Sequence, residues 1–128
     1  MDKSPYSSRL FVSSPDDTLA GKTGDILLID GMDSRVIDLH LNVINRSSSG
    51  FAWGYQGAGP AQSALAILVE SVGEELAIRY HMEFKTFVIA QLQGSWSISE
   101  EYVRGWIDGR LLYDKLEPAV REEVPSYG

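Results

Sequence analysis

The 128-residue chain contains no cysteine, and that one absence removes several chemistries together. Without thiols there is no disulfide framework, no thiolate-ligated zinc, no iron–sulfur cluster and no cysteine nucleophile. A cysteine-free chain fits a reducing compartment, so a cytoplasmic location is expected. Long apolar runs are missing too. None reaches the roughly 18 residues of a membrane span, and the polar start Met1-Asp2-Lys3-Ser4-Pro5 lacks the basic-then-apolar order of a secretory signal. No membrane association is expected. Cations are scarce: 11 Lys and Arg stand against 18 Asp and Glu, a formal charge of -7. The deficit is uneven, with five basic and seven acidic residues over 1–50 and six against eleven over 51–128. A phosphate backbone is held by clustered cations, and a surface of net negative sign repels it at long range. Direct nucleic-acid binding is therefore not expected. The same acidity would draw in a basic surface on a protein partner, or serve solubility alone.

What is present is an ordinary globular composition, 44% hydrophobic and 23% charged, at a length that gives one domain with a core of its own. Residues 1–9 are polar and read as an N-terminal arm, residues 10–117 as the domain, and 118–128, beginning at Pro118, as a loose charged tail. Two runs have strand character: Asp25 to Asp30, and Arg35 to Leu41. In the second, Val36, Asp38 and His40 alternate with Ile37, Leu39 and Leu41. Gly31-Met32-Asp33-Ser34 between them supplies turn chemistry, so an antiparallel hairpin is expected, with Arg9 to Val12 as a third strand. A lone hairpin is marginal and needs cover.

The second half offers that cover. From Pro60 the residues Ala61, Ala64, Leu65, Ala66, Ile67, Leu68, Val69 and Val72 are apolar around most of a helix, which predicts a central, buried element ending at Gly73. Glu74-Glu75 then favour the start of a second helix running to about Leu92. Its apolar stripe is Leu76, Tyr80, Phe84, Phe87, Val88 and Leu92. After an extended Ser95–Ile98, Ser99 is an N-cap candidate for a third helix carrying Tyr102, Val103, Trp106, Ile107 and Leu111. The fold class that follows is α+β, a small antiparallel sheet or hairpin packed by two or three helices.

One stretch departs from generic helix-start chemistry. Between Gly50 and Ala61 the residues Phe51, Trp53 and Tyr55 are interleaved with Gly54, Gly57 and Gly59 and run straight into the helix at Pro60. Glycine permits positive φ and close backbone approach, and a helix N-terminus offers unpaired N–H groups, so an anionic ligand could be held here. A ligand site would use Trp53, Gly54, Tyr55, Gly57 and Gly59, with Arg79 as a cation that could reach a phosphate if the helices converge on the loop. Against a nucleotide, Pro60 removes one donor, no lysine follows as in a P-loop, and the glycine spacing is not that of a dinucleotide fingerprint. The other reading is a packed turn in which the aromatic rings join sheet to helix.

These residues also carry a resemblance. The stretch from Phe51 to Leu68 resembles the F-x-W-G-Y-x-G-x-G-P-A-x-x-A-L-A-x-L signature of a small family of unknown function found in archaea, bacteria and mobile elements. Tyr80, Phe84, Lys85 and Val88 are similar to its Y-x-x-F-K-x-x-V element, and Trp96-Ser97-Ile98 with Ile107 to its closing part. The resemblance spans roughly Asn45 to Ile107 and implies no activity, cofactor or catalytic residue. Ala52 and Ala58 stand where the signature has an acidic or small residue and a small hydroxyl, which takes polar groups away from a ligand site. Occurrence on mobile elements, including phage, implies a protein that acts on host systems, with anti-defence binding as one form.

Catalytic constellations are not found. His40 and His81 are not at metal-ligand spacing and are expected to be satisfied or surface histidines, so no metal site is expected. Ser47-Ser48-Ser49 lacks a nucleophile elbow. The pairs Glu74-Glu75, Glu100-Glu101 and Glu122-Glu123 point apart on a helix and read as solvated caps. The expectation is a non-enzymatic binding or inhibitor module with no cofactor, acting on a protein partner through an acidic surface. The alternative is a small-molecule protein, such as a nucleotide sequesterer, using the glycine loop. The oligomeric state is open.

Overall fold

Along the first two strands, buried and more exposed positions alternate, and this pattern builds a sheet with one face for the core. In the computed structural model, which describes residues 9–16 and 19–116, strand β1 spans Leu10–Pro15, β2 Thr23–Asp30, β3 Asp33–Val36, β4 Phe51–Ala52 and β5 Ser97–Ser99. All pairings are antiparallel in the order β3-β2-β1-β5. The far edge of β2 is shared: β3 pairs with Leu27 to Asp30 while β4 pairs with Thr23 and Gly24. Phe11, Ile26, Leu28 and Ile98 form the buried face, with Phe11 opposite both Leu28 and Ile98. The fold is α+β, as expected, with an antiparallel sheet of five strands and three helices among the described residues.

Helix α1 (Ala58–Val72) buries every residue from Pro60 to Leu68, so it is covered all round, and Pro60 sits in its first turn, where a missing N–H costs nothing. Gly73, at φ 91°, breaks the chain between α1 and α2 (Glu74–Phe87), and Glu74 and Glu75 occupy the first turn of α2, where the dipole favours carboxylates. Ser99 accepts a hydrogen bond from the Tyr102 N–H and caps α3 (Glu100–Asp114). Two edge-to-face ring pairs join the layers: Trp53 on Trp96 at 5.4 Å and Phe84 on Trp106 at 5.1 Å.

Six expectations change. The strand expected over Arg35 to Leu41 is β3, and it does not run to Leu41. It ends at Val36, because His40 adopts a left-handed φ of 58°, with its N–H donating to the Asp38 carboxylate, and the chain leaves the sheet. The hairpin turn is Gly31-Met32 alone, since Asp33 already pairs with Asp30; Gly31 at φ 64° provides the positive φ that tight hairpins need. Helix α2 stops at Phe87, and a 3-10 turn follows at Ile89–Gln91. Phe87 and Tyr102, expected on apolar faces, are about half exposed, since the core is already closed by Phe84, Val88, Val103 and Ile107. Arg9, expected in the arm, belongs to the fold: its carbonyl accepts the Glu100 N–H and its guanidinium lies 2.9 Å from the Glu100 carboxylate. Glu100 is accordingly buried, not a solvated cap. The rest of the arm and the tail lie outside the described residues.

Candidate functional site

The aromatic–glycine segment does two things: it closes the core and it forms one wall of a cleft. Trp53 has no exposed surface. Its ring N–H donates to the Gly21 carbonyl at 3.2 Å and its backbone N–H to the Lys22 carbonyl, so the turn before β2 is fastened to the loop. Gly54 has a φ of 82°, and its N–H donates to the Ile89 carbonyl. A Cβ there would stand 2.8 Å from the Leu92 carbonyl oxygen. Gly59 serves a close approach instead: its Cβ would come within 2.7 Å of the Ala52 Cβ, so only glycine lets the start of α1 lie against β4. Gly57 precedes α1 in an extended conformation, with the half-buried Tyr55 ring against it. The left-handed conformation thus falls on Gly54, and Gly57 and Gly59 provide room.

Arg79 does not join this group. It lies on α2, paired with Asp114 of α3 at 3.0 Å and stacked on Tyr80. The α2 carbonyl that meets the loop is that of Thr86, which accepts from Gln56, about 10 Å further along the helix axis at 1.5 Å per residue. Trp53, Gly54, Tyr55, Gly57 and Gly59 are therefore brought together, and Arg79 is turned to the opposite helix.

Two residues that the sequence reading passed over organise the region. Gln62 is fully buried, and its amide uses its whole hydrogen-bonding capacity. The carbonyl oxygen accepts from the N–H groups of Arg46 (2.7 Å) and Ser47 (3.0 Å). The NH2 group donates to the carbonyls of Leu39 (2.6 Å) and Ile44 (3.0 Å). One side chain of α1 thereby holds the loop from Leu39 to Ser47, which has left the sheet. Ser63, the next residue, accepts from the Ala52 N–H at 3.0 Å and donates to the Ala52 carbonyl at 2.7 Å, pairing β4 as a neighbouring strand would. The signal was available: two polar residues inside an otherwise apolar helical run must find partners, since burying them unpaired costs about 1–3 kcal/mol each.

The histidines divide. His81 is buried; its Nδ1–H is directed at the Ile78 and Ala77 carbonyls, and its Nε2 accepts from Arg46 Nε at 3.3 Å. Burial, above all, holds its pKa below the ordinary 6.5, and the contact with Arg46 needs the neutral ring. His40 is half-buried, with Nε2 at 2.6 Å from Glu70, whose other oxygen accepts from Arg35 at 2.5 Å. Burial pushes the Glu70 carboxyl up, but the hydrogen bonds from Arg35 and His40 together outweigh it and hold the pKa below its usual 4.5. Among the described residues no group of His, Asp and Glu is placed to hold a metal ion.

Beside the loop, where β1, β2 and β4 end, a cleft of about 610 Å3 opens. Its polar lining includes Ser14, Asp16, Thr23, Asp25, Ser49 and Tyr55, and Gly59 of α1 forms part of the wall. Thr23 donates its hydroxyl to Asp16 at 2.6 Å. Among the described residues the charged groups of this lining are two carboxylates, Asp16 and Asp25, so the cleft repels phosphate and favours a cation. Among the described residues no helix is long and apolar enough to cross a membrane.

Compared with known proteins, the chain belongs to a family of unknown function, DUF6166, whose model matches residues 19–109. No curated protein and no solved structure matches it.

Proposed function

We propose that this member of DUF6166 is a non-enzymatic binding module that engages a basic surface of a protein partner. The supporting observation is how unevenly the charges are neutralised. Five of the six arginines among the described residues are paired with carboxylates, Arg9 and Arg104 with Glu100, Arg35 with Glu70, Arg79 with Asp114 and Arg110 with Glu83, whereas Arg46 meets the neutral His81 and Lys22, Lys85 and Lys115 form no ion pair among the described residues. Asp25, Asp33, Glu74, Glu75, Glu101 and Asp108, by contrast, are exposed and meet no cation within ion-pair distance among the described residues. The accessible charge thus stays net acidic, which favours basic partners and speeds their encounter. The spread of the resembled family over mobile elements makes a host component, including a defence protein, the partner class to test first.

The nucleotide alternative keeps the loop but loses its means of grip, since Trp53 is enclosed, Arg79 faces α3 and the adjoining cleft is acidic. The test is capture of proteins from host lysate on the immobilised chain at about 0.1 M and about 1 M salt, across which the Debye length falls from about 10 Å to about 3 Å. A parallel capture uses the chain with Glu74→Gln, Glu75→Gln, Glu101→Gln and Asp108→Asn. A partner held by the native chain at low salt, and released by salt or by the charge-reduced variant, supports the reading. Retention indifferent to both removes it.

A further inference from the structure

We infer that the cleft at the ends of β1, β2 and β4 is a receptor for a guanidinium side chain of the protein partner. The inference rests on the acidic-surface reading and gives it an address. Three observations carry it. The cleft, at about 610 Å3, lies in the range of pockets that enclose a ligand, roughly 300–1,000 Å3, so it takes a long side chain together with flanking backbone. Its ionised lining groups, Asp16 and Asp25, are of one sign. The side-chain polar atoms of Ser14, Asp25 and Tyr55 have no protein partner among the described residues, and all of them can accept a hydrogen bond.

Guanidinium matches this lining better than ammonium does. It is a planar group with five N–H donors and no acceptor, it stays charged at any working pH, and it pairs with carboxylates through two parallel hydrogen bonds while leaving N–H groups for neighbouring hydroxyls. A cleft with carboxylates and hydroxyl oxygens, and with no cation among the described lining residues, supplies the acceptors for such a fork. Rigid support is also present. Ser63 clamps β4 and Gln62 clamps the loop up to Ser47, so both ends of the wall from Ser47 to Ala52 are held by α1 before any ligand arrives, which limits the ordering cost of binding.

The experiment is amide chemical-shift titration of the full chain with the capped tripeptide acetyl-Gly-Arg-Gly-amide, and with its citrulline counterpart, which has the same shape without the charge. Shifts are expected at 14, 16, 23–25, 47–52, 55 and 59 for the arginine peptide and not for the citrulline one. Asp25→Asn should weaken binding roughly tenfold and Tyr55→Phe by less, each with the rest of the spectrum unchanged because both changes are made on the cleft wall. Glu83→Gln, on α2 and outside the cleft lining, should leave the affinity as it is. Equal binding of the citrulline peptide overturns the guanidinium chemistry and points to a neutral polar ligand. Shifts spread over α2 and α3, with Glu83→Gln as damaging as Asp25→Asn, overturn the cleft while leaving the acidic-surface reading standing. If no shift occurs at millimolar peptide, the cleft is not a receptor, and the salt-dependent capture decides the broader reading by itself.

Discussion

The two flanks of α1 are held by different physics. On one side, the loop from Leu39 to Ser47 and strand β4 are tied to the helix by buried neutral hydrogen bonds from Gln62 and Ser63. On the other, α2 meets α3 through ring contacts and partly exposed ion pairs, Arg79 to Asp114 and Arg110 to Glu83, with the Tyr80 hydroxyl donating to Asp114 as well. Burial above all, and then Asp114, keep the Tyr80 phenol protonated beyond the usual tyrosine range. A buried amide with every site filled leaves four backbone groups stranded when it is lost, whereas an exposed ion pair gives its members back to water. The first kind of contact fixes a conformation, and the second adds little stability.

The comparison can be broken most sharply at the loop. Trp53→Ala should destabilise by about 3–5 kcal/mol, the range for emptying a buried aromatic site, and denaturant unfolding would show it; a loss under about 1 kcal/mol would mean that the ring is not the joint between sheet and helix. Leu68→Ala should cost about 2–5 kcal/mol as a control for the same buried helix. Gln62→Leu, close in volume, should cost about 2–4 kcal/mol because it strands four backbone groups, and hydrogen exchange at Arg46 and Ser47 should accelerate selectively.

Acid should act on both flanks of the loop. His81 has a folded pKa below 6.5, so the unfolded chain binds its proton first, and stability falls as pH drops below about 6.5 towards the folded value. Glu70, lowered below 4.5, contributes stability above that value and loses it as pH falls through its folded pKa. His81→Gln should flatten the upper part of the stability–pH curve and Glu70→Gln the lower part. The smallest effect is expected at the other flank: Arg79→Ala should change stability by about 0–1 kcal/mol, and a larger loss would show that the α2–α3 ion pairs are not equivalent to solvated ones.

Much of the architecture was legible because it is periodic. The apolar circumference from Ala61 to Val72, the break at Gly73, the carboxylates at Glu74-Glu75 and the cap at Ser99 each follow from a local rule, and all four are present in the fold. The first and second strands were legible for the same reason. The end of the third at Val36 was not, since the alternation from Val36 to Leu41 continues past the point where the chain departs. Its departure depends on hydrogen bonds to Gln62, a residue more than twenty positions away. The site followed the same division. Trp53, Gly54, Tyr55, Gly57 and Gly59 were marked by composition, but the cleft they adjoin also draws on Ser14, Asp16, Thr23 and Asp25 of the β1–β2 arm, which no spacing connects to them.

The sequence by itself determined the α+β class, the buried α1 and the acidic balance, because helix periodicity, glycine breaks and net charge are properties of neighbouring residues or of simple sums. Only the tertiary structure decided which way the rings face, that Arg9 and Glu100 meet, and that the unneutralised carboxylates are the exposed ones. Those outcomes depend on which distant groups compete for the same partner. Trp53 turns inward because Gly21 and Trp96 await it, and Arg79 turns to Asp114 because α3 returns along α2, both fixed by packing that local pattern does not encode.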